Sequence, residues 1–368
     1  MAKSVTIIFL GDFFFDARCI NMADTILDAR LNLNIINTGN SKNSYRGKRI
    51  YHISLPKRGF YKYIKFHKEV KNILTEINAE IIIAGDLFSL PAATSIEDAH
   101  VIYDSREIYT QLAGLSNNPM KQIFWSWVEK IYINKTQSVL VTADGDGIIL
   151  KNLYPNINIT NIYNFPSRKL KPSRSISLRK KFNISAESKI FLYQGVLHKG
   201  RGIKTIIKLL DNFQNAHAVI IGDGPYRDEL RKYAVKRKTE KRTHFYGAVP
   251  YLELLELSAD ADIGFSLIKP VSKSYEQALP NKLFEYALAG IPVIASNLPE
   301  MDKIINKYQI GYTVAHDEIN AQTQIIKKIL NENNRLEIQK KAEQHLVWES
   351  QKKEFLISLG IHKKPKKI

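Results

Sequence analysis

The sequence predicts an α/β protein made of two successive doubly wound domains, and three observations carry that expectation. Short β-branched runs alternate with helical stretches along the chain, the pattern of parallel sheets with crossover helices. Most of these runs are continuously apolar rather than alternating, as expected of strands covered on both faces. The length, 368 residues, exceeds what one hydrophobic core serves and suits two domains.

In the first half the predicted strands are Thr6–Leu10, Leu33–Asn37, Ile50–Ser54, Glu80–Ala84, Val101–Asp104, Ser138–Thr142 and Thr160–Tyr163. In the second half they are Lys189–Gln194, Ala218–Gly222, Thr243–Tyr246, Asp262–Leu267, Pro292–Ala295 and Gly311–Val314. Between the two series, Asn164–Lys181 carries Pro166, Pro172 and seven basic residues with no acid. That composition marks a linker, or the exposed helix after one, and puts the domain boundary at residue 165. Within the first half, Gly59–Ile77 reads as a basic amphipathic helix. Tyr63, Phe66, Val70, Ile73 and Ile77 share one face, with Lys62, Lys65, Lys68 and Lys71 away from its centre. Arg46, Lys48, Arg49, Lys57 and Arg58 enlarge the basic cluster. The apolar face suits packing on the first sheet, the lysines suit an anionic lipid surface, and the two readings are compatible.

Basic residues outnumber acidic ones, 54 to 36, for a net charge of +18. That favours anionic partners: a membrane surface, nucleic acid or a phosphorylated ligand. The single cysteine, Cys19, excludes an intramolecular disulfide and a cysteine-based zinc site, and accords with a reducing compartment. No apolar run approaches the roughly 18 residues of a membrane span. Val5–Leu10 is cut short by Gly11 and Asp12, too early for a signal-peptide core. The expectation is a cytoplasmic protein, peripheral at the inner face of the cell membrane.

The most informative segment is Ser274–Ser296, SYEQALPNKLFEYALAGIPVIAS. Pro280 suits the first turn of a helix that continues through Lys282, Phe284, Glu285 and Leu288 and stops at Gly290. A helix N-terminus offers N–H groups and a partial positive charge to a diphosphate. Lys282 adds charge there, and Glu285 is placed to accept hydrogen bonds from ribose hydroxyls. Two D-x-D patterns, Asp144-Gly-Asp146 and Asp260-Ala-Asp262, sit at element ends rather than in a metal-binding context, and no metal is expected. There is no zinc-hydrolase histidine pair and no Walker A sequence, and Gly222-Asp-Gly224 lacks the third glycine of a dinucleotide fingerprint. Asp104 is expected to cap the segment that follows it.

Pro280–Ala295 resembles the donor-binding helix of family 4 glycosyltransferases, and further landmarks follow in order. They are Asp16-Ala-Arg18, Gly85-Asp86, Tyr103-Asp-Ser-Arg-Glu107, Tyr193–Gly202, Ile221-Gly-Asp-Gly-Pro225, Phe245–Pro250 and Trp348-Glu349. The resemblance implies the GT-B fold: two Rossmann-like doubly wound domains facing a central cleft. It implies an acceptor domain at 1–165, a nucleotide-sugar donor domain at 166–340, and a returning helix with a basic tail at 341–368. The implied activity is retaining transfer of a sugar from a nucleoside-diphosphate sugar, UDP-, GDP- or other, to a saccharide or lipid-linked acceptor, with no cofactor. The leaving phosphate itself would help deprotonate the acceptor. Donor contacts are implied for Gly195, Val249, Pro280, Asn281, Lys282 and Glu285, and sugar or acceptor contacts for Gly11, Arg106 and Glu107.

Three departures from the family pattern bear on the site. The residue eight positions before Glu285, usually glutamate, is Gln277, with Glu276 one position off, and either could take the catalytic sugar contact. The usual arginine after the first strand of the donor domain is Val196, which leaves Lys199 and Arg201 to clamp the leaving diphosphate. A position often held by histidine is Arg106. Two other classes stay open: a GT-B sugar-nucleotide epimerase or hydrolase, and a basic nucleic-acid-binding protein. No motif of the latter class accompanies the charge, and no nucleic acid is expected as a partner.

Overall fold

The computed structural model describes residues 3–39, 42–56, 59–109, 119–173, 177–270, 273–332 and 334–361. Lys57, Arg58 and the basic tail His362–Ile368 lie outside them. The chain divides into two compact units, one of residues 1–163 with 351–368, the other of residues 164–350.

The first unit holds eight strands: β1 (Ser4–Phe9), β2 (Asn32–Asn37), β3 (Ser44–Tyr45), β4 (Lys48–His52), β5 (Ile81–Ala84), β6 (His100–Ser105), β7 (Ser138–Val141) and β8 (Ile159–Asn161). They are ordered β3-β4-β2-β1-β5-β6-β7-β8. All neighbours are parallel except β3, which returns antiparallel on β4. The sequence signal for β3 is too short to read. It is a two-residue strand closed by Arg46 and Gly47, both at positive φ, as a tight hairpin turn requires. The fully buried runs Ile81–Ala84 and Ser138–Val141 form central strands, as their continuous apolar character predicts.

The Tyr61–Glu76 helix buries Phe66, Val70 and Leu74, with Tyr63, Ile73 and Ile77 partly buried against the same core. Arg46 does not add to the basic cluster as expected. Its guanidinium reaches Asp24 (2.7 Å) and Asp28 (3.3 Å) on the Ala17–Asp28 helix, so that charge is locally met.

The second unit holds six parallel strands: β9 (Lys189–Gln194), β10 (Ala216–Ile221), β11 (Thr243–Gly247), β12 (Ile263–Ser266), β13 (Val293–Ser296) and β14 (Gly311–Val314). Their order, β11-β10-β9-β12-β13-β14, reverses direction between β9 and β12. In the first unit the corresponding reversal falls between β1 and β5. Open α/β sheets bind ligands at the carboxyl ends of the strands on either side of such a reversal.

The basic stretch at 164–181 belongs to the second unit and is not free of it. Phe165 is buried with its ring 4.7 Å from that of Phe284. The Pro166 carbonyl accepts from the Trp348 N–H (2.8 Å), and Glu349 accepts from the Ser167 hydroxyl and the Arg168 N–H, both at 2.8 Å. These bonds correct the expected boundary at 340. Residues 341–350 pack with the second unit, and the chain rejoins the first only at Gln351. There the Gln351 amide accepts from the Tyr163 N–H (2.9 Å) and donates to the Tyr163 carbonyl (2.6 Å). No described helix is long and apolar enough to cross a membrane.

Candidate donor site and its counterpart in the first unit

In the second unit the site is built on the carboxyl end of β9. Gln194 is its last residue and is buried. Its amide oxygen accepts from the Ser258 hydroxyl (2.7 Å), its backbone N–H donates to the Tyr286 oxygen (3.0 Å), and its amide nitrogen donates to Glu285. Gly195 follows at φ +121°, and a β-carbon on Gly222 would come 2.0 Å from the Gly195 carbonyl oxygen. Glycine is therefore required at 222 for close approach and favoured at 195 by conformation. A β-carbon on Gly195 would meet the Lys282 ammonium at 3.5 Å, an ordinary contact distance, so Lys282 lies directly beside the Gly195 backbone.

The helix that carries Lys282 and Glu285 spans Lys282–Leu288, with Asn281 at its N-cap. This corrects the placement of Pro280, which precedes the cap and is not in the first turn. The Leu283 N–H bonds to the Pro280 carbonyl, and those of Phe284 and Glu285 to the Asn281 carbonyl, so the first turn closes on these two residues. Glu285 consequently lies in the first turn. It is 4% exposed, and both Gln194 and Tyr251 donate to its carboxylate. Burial pushes Glu285 up to about 7, against the opposing pull of the Gln194 bond and the Lys282 charge. Lys282 sits 3.8 Å over the Tyr193 ring. Burial, with the Arg201 charge beside it, brings Lys282 down to about 7.

Arg201 lies over the Tyr275 ring (4.8 Å) and donates to its hydroxyl (3.4 Å). Lys199 does not join this group. Its exposed ammonium is 3.8 Å from Glu229, which also binds Lys204, and it lies over Tyr226. Lys282 rather than Lys199 thus stands with Arg201. Glu276 ends the short Lys273–Glu276 helix and is exposed, whereas Gln277 just after it is half-buried. Val249 is half-buried in the loop after β11. Gln194, Tyr251 and Tyr275 were not singled out from sequence. The available signal was their adjacency to Gly195, Pro250 and Glu276, residues already of interest.

Carboxylates of both D-x-D patterns are bonded within the protein. Asp260 accepts from the Ser177 hydroxyl and the Arg179 N–H, both at 2.9 Å. Asp262 binds the Arg179 guanidinium (2.7 Å) and the Ile190 N–H (2.8 Å). Asp144 opens the Asp144–Leu153 helix and takes the Tyr163 hydroxyl (2.6 Å). Among the described residues no group of three or more His, Cys, Asp or Glu could hold a metal.

In the first unit, Gly11 follows β1, and its carbonyl accepts from the N–H groups of Thr38 (3.1 Å) and Gly39 (3.0 Å). Arg106 does not project as a free sugar ligand. Its guanidinium binds Asp104 (2.9 Å) and Asp16, donates to Cys19 Sγ (3.0 Å) and lies 4.8 Å over the Phe9 ring. Asp104 is not a cap. Fully buried, it also takes two donors from Arg18, whose remaining amine donates to the Ile162 carbonyl (2.6 Å). Burial alone would raise the Asp104 pKa, but the two guanidiniums overcome it and hold the carboxyl below its usual range. Glu107 is exposed, and its carbonyl accepts from the Ser105 hydroxyl (3.3 Å).

Two doubly wound units, each with a reversal of strand order in its sheet, define the GT-B fold. Residues 175–345, inside the second unit, match the family model described as Glycosyl transferases group 1. The chain is similar to the glycogen synthase of Mycobacterium tuberculosis, 26% identical over 145 residues, covering 38% of this chain and 34% of that one. It is also similar to a GDP-mannose-dependent alpha-mannosyltransferase of Corynebacterium glutamicum, 26% identical over 207 residues, 53% of this chain and 46% of that one. The matches thus span about a third to under half of these relatives' lengths. Among solved structures, Anabaena HepE in complex with UDP and glucose superposes with a TM-score of 0.76 at 14% identity, covering 97% of this chain and 99% of that one.

Proposed function

We propose that the protein is a retaining glycosyltransferase that moves a sugar from a nucleoside-diphosphate sugar to a saccharide or lipid-linked acceptor in cell-surface polysaccharide or glycoconjugate synthesis. The observation that carries this reading is the gathering of Lys282, Arg201 and Glu285 around the Gln194–Gly195 strand end, in the domain that matches the glycosyl transferases. Similarity to a GDP-mannose-dependent enzyme and to a fold that holds UDP supports a nucleotide-sugar donor.

In this reading Lys282 and Arg201 hold the diphosphate at the start of the Lys282–Leu288 helix. They stabilise the negative charge that grows as the bond from the anomeric carbon to phosphate breaks. Glu285 accepts from the ribose, with Gln194 and Tyr251 fixing its orientation. The acceptor oxygen bonds to the anomeric carbon on the face the phosphate leaves, and its proton passes to that phosphate. Gly11, Arg106 and Glu107 border the acceptor side, Arg106 as a positioning residue through its bonds to Asp104 and Asp16.

The test is a thermal-shift panel of UDP- and GDP-sugars, since a ligand bound only by the native state raises its stability. Transfer of label from the stabilising donor to an added acceptor should follow, and should survive EDTA. Hydrolysis or epimerisation of the donor with no acceptor product would replace the transferase reading. Loss of transfer on chelation, restored by Mg²⁺ or Mn²⁺, would overturn the metal-free clamp. Glu276→Ala and Gln277→Ala form a paired test of the sugar contact, which belongs to whichever change costs more turnover.

A further inference from the structure

The Pro119–Ile133 helix of the first unit carries two apolar stripes. One turns inward, with Trp125, Val128 and Ile133 buried. The other, Met120, Ile123, Phe124 and Trp127, recurs at i, i+3, i+4 and i+7 and faces solvent, at 83%, 69%, 36% and 59% exposure. Phe60 and Ile64, both 54% exposed, extend this surface from the neighbouring Tyr61–Glu76 helix, and the Phe60 and Phe124 rings meet at 5.4 Å. Contiguous exposed apolar surface of this kind marks an interaction site, whereas single exposed apolar side chains need no explanation.

The exposed charges that these two helices set beside it have one sign. Exposed Lys68 and Lys71 follow Ile64 at i+4 and i+7 and so share its flank, while Glu69 and Glu76 fall on the opposite flank. Exposed Lys130 lies seven residues after Ile123, on the same side of its helix. The single carboxylate of that helix, Glu129, is buried, bonded by the Tyr103 (3.2 Å) and Tyr154 (3.1 Å) hydroxyls.

We propose that this face docks on an anionic lipid surface, with Phe60, Phe124 and Trp127 entering the headgroup region and Lys68, Lys71 and Lys130 meeting lipid phosphates. Aromatic side chains ringed by lysine are what an interfacial helix presents to such a membrane. A second copy fits less well, because a two-fold contact of the face with itself sets like-charged rims against each other. The sequence pointed to the lysines of the Gly59–Ile77 segment but not to the second apolar stripe. The proposal rests on the first unit alone and stands or falls apart from the donor chemistry.

The experiment is co-sedimentation of the full chain with phosphatidylcholine vesicles, with and without phosphatidylglycerol. Binding is expected only with phosphatidylglycerol, weakening as salt screens the lysines. A blue shift of tryptophan emission on binding should be lost in Trp127→Phe. The pairs Phe124→Ser/Trp127→Ser and Lys68→Glu/Lys71→Glu should each lower vesicle affinity about tenfold or more at unchanged thermal stability. Equal binding to neutral vesicles, or parental binding by both double variants, would overturn the proposal. So would a dimer in sedimentation velocity that Phe124→Ser/Trp127→Ser dissociates, with no vesicle binding by the parent.

Discussion

The end of β6 in the first unit and the end of β9 in the second both gather charged side chains in partly or fully buried surroundings, with opposite outcomes. At β6 every charge meets its opposite: Asp104 lies between Arg18 and Arg106, and Arg106 also holds Asp16. At β9 the cations rest on aromatic faces, Lys282 on Tyr193 and Arg201 on Tyr275, while Glu285 is held by an amide and a hydroxyl. The paired cluster keeps its carboxylate ionised well below neutral pH. The other holds a lysine and a glutamate that both titrate at about 7. Buried charges that find their opposites make structure, whereas cations set on rings keep capacity for an anion brought by a ligand. This difference is why the proposed reading puts a diphosphate at the second cluster and a scaffolding role at the first.

The largest expected effect breaks the first cluster. Asp104→Asn leaves two guanidiniums short of a charge in the interior and should cost about 3–5 kcal/mol in urea unfolding. Its pH dependence has a definite sign. A carboxyl held below its unfolded pKa of about 3.9 stabilises the fold fully above that value and loses its contribution as pH falls through the folded value. The parent should therefore lose stability below about pH 4 more steeply than the variant. A destabilisation under about 1 kcal/mol would erase the contrast between the clusters.

Next in size is Glu285→Ala, which should weaken donor binding by roughly ten- to a hundredfold, as expected for loss of a charged hydrogen bond of about 1.5–3 kcal/mol. Glu285→Gln should lie between parent and Ala. Unchanged calorimetric affinity of a folded Glu285→Ala protein for every donor would move the site elsewhere.

The third effect is on pH. Lys282 is largely neutral above about 7 in the free protein, and a bound diphosphate favours its cation. Donor binding should therefore take up a proton and weaken by up to about tenfold per pH unit above 7, until the raised pKa of the complex is reached. Titration in buffers of different ionisation heat measures the uptake, and Lys282→Gln should abolish it. An uptake that persists in the variant would remove Lys282 from the diphosphate.

Smallest, and sharpest as a comparison, is the loop pair. Arg201→Ala should depress kcat more than donor affinity, because leaving-group charge grows in the transition state. Lys199→Ala should change either constant by less than about threefold, since that ammonium is exposed and turned to Glu229. Equal losses for the two variants would return Lys199 to the clamp.

The alternation of apolar runs determined the doubly wound fold and located all the long strands, because strands buried on both faces write themselves into composition. Helix chemistry likewise marked Lys282 and Glu285, since a helix start is a local event, whereas Gly195 was marked only by the family resemblance. The β3 hairpin strand escaped notice because two residues carry no periodicity. What only the tertiary structure decided is where flexible, charged side chains end. Lys199 and Arg201 are indistinguishable in sequence, yet one finds Glu229 and the other Tyr275. Arg106 reads as a free cation until Asp16, 90 positions away, is seen to hold it. The break at 350 rather than 340 follows from Trp348 and Glu349 binding the 166–168 backbone, a contact that no local pattern encodes. Long side chains choose partners by burial and opposite charge, and those partners come from distant segments that only the folded chain assembles.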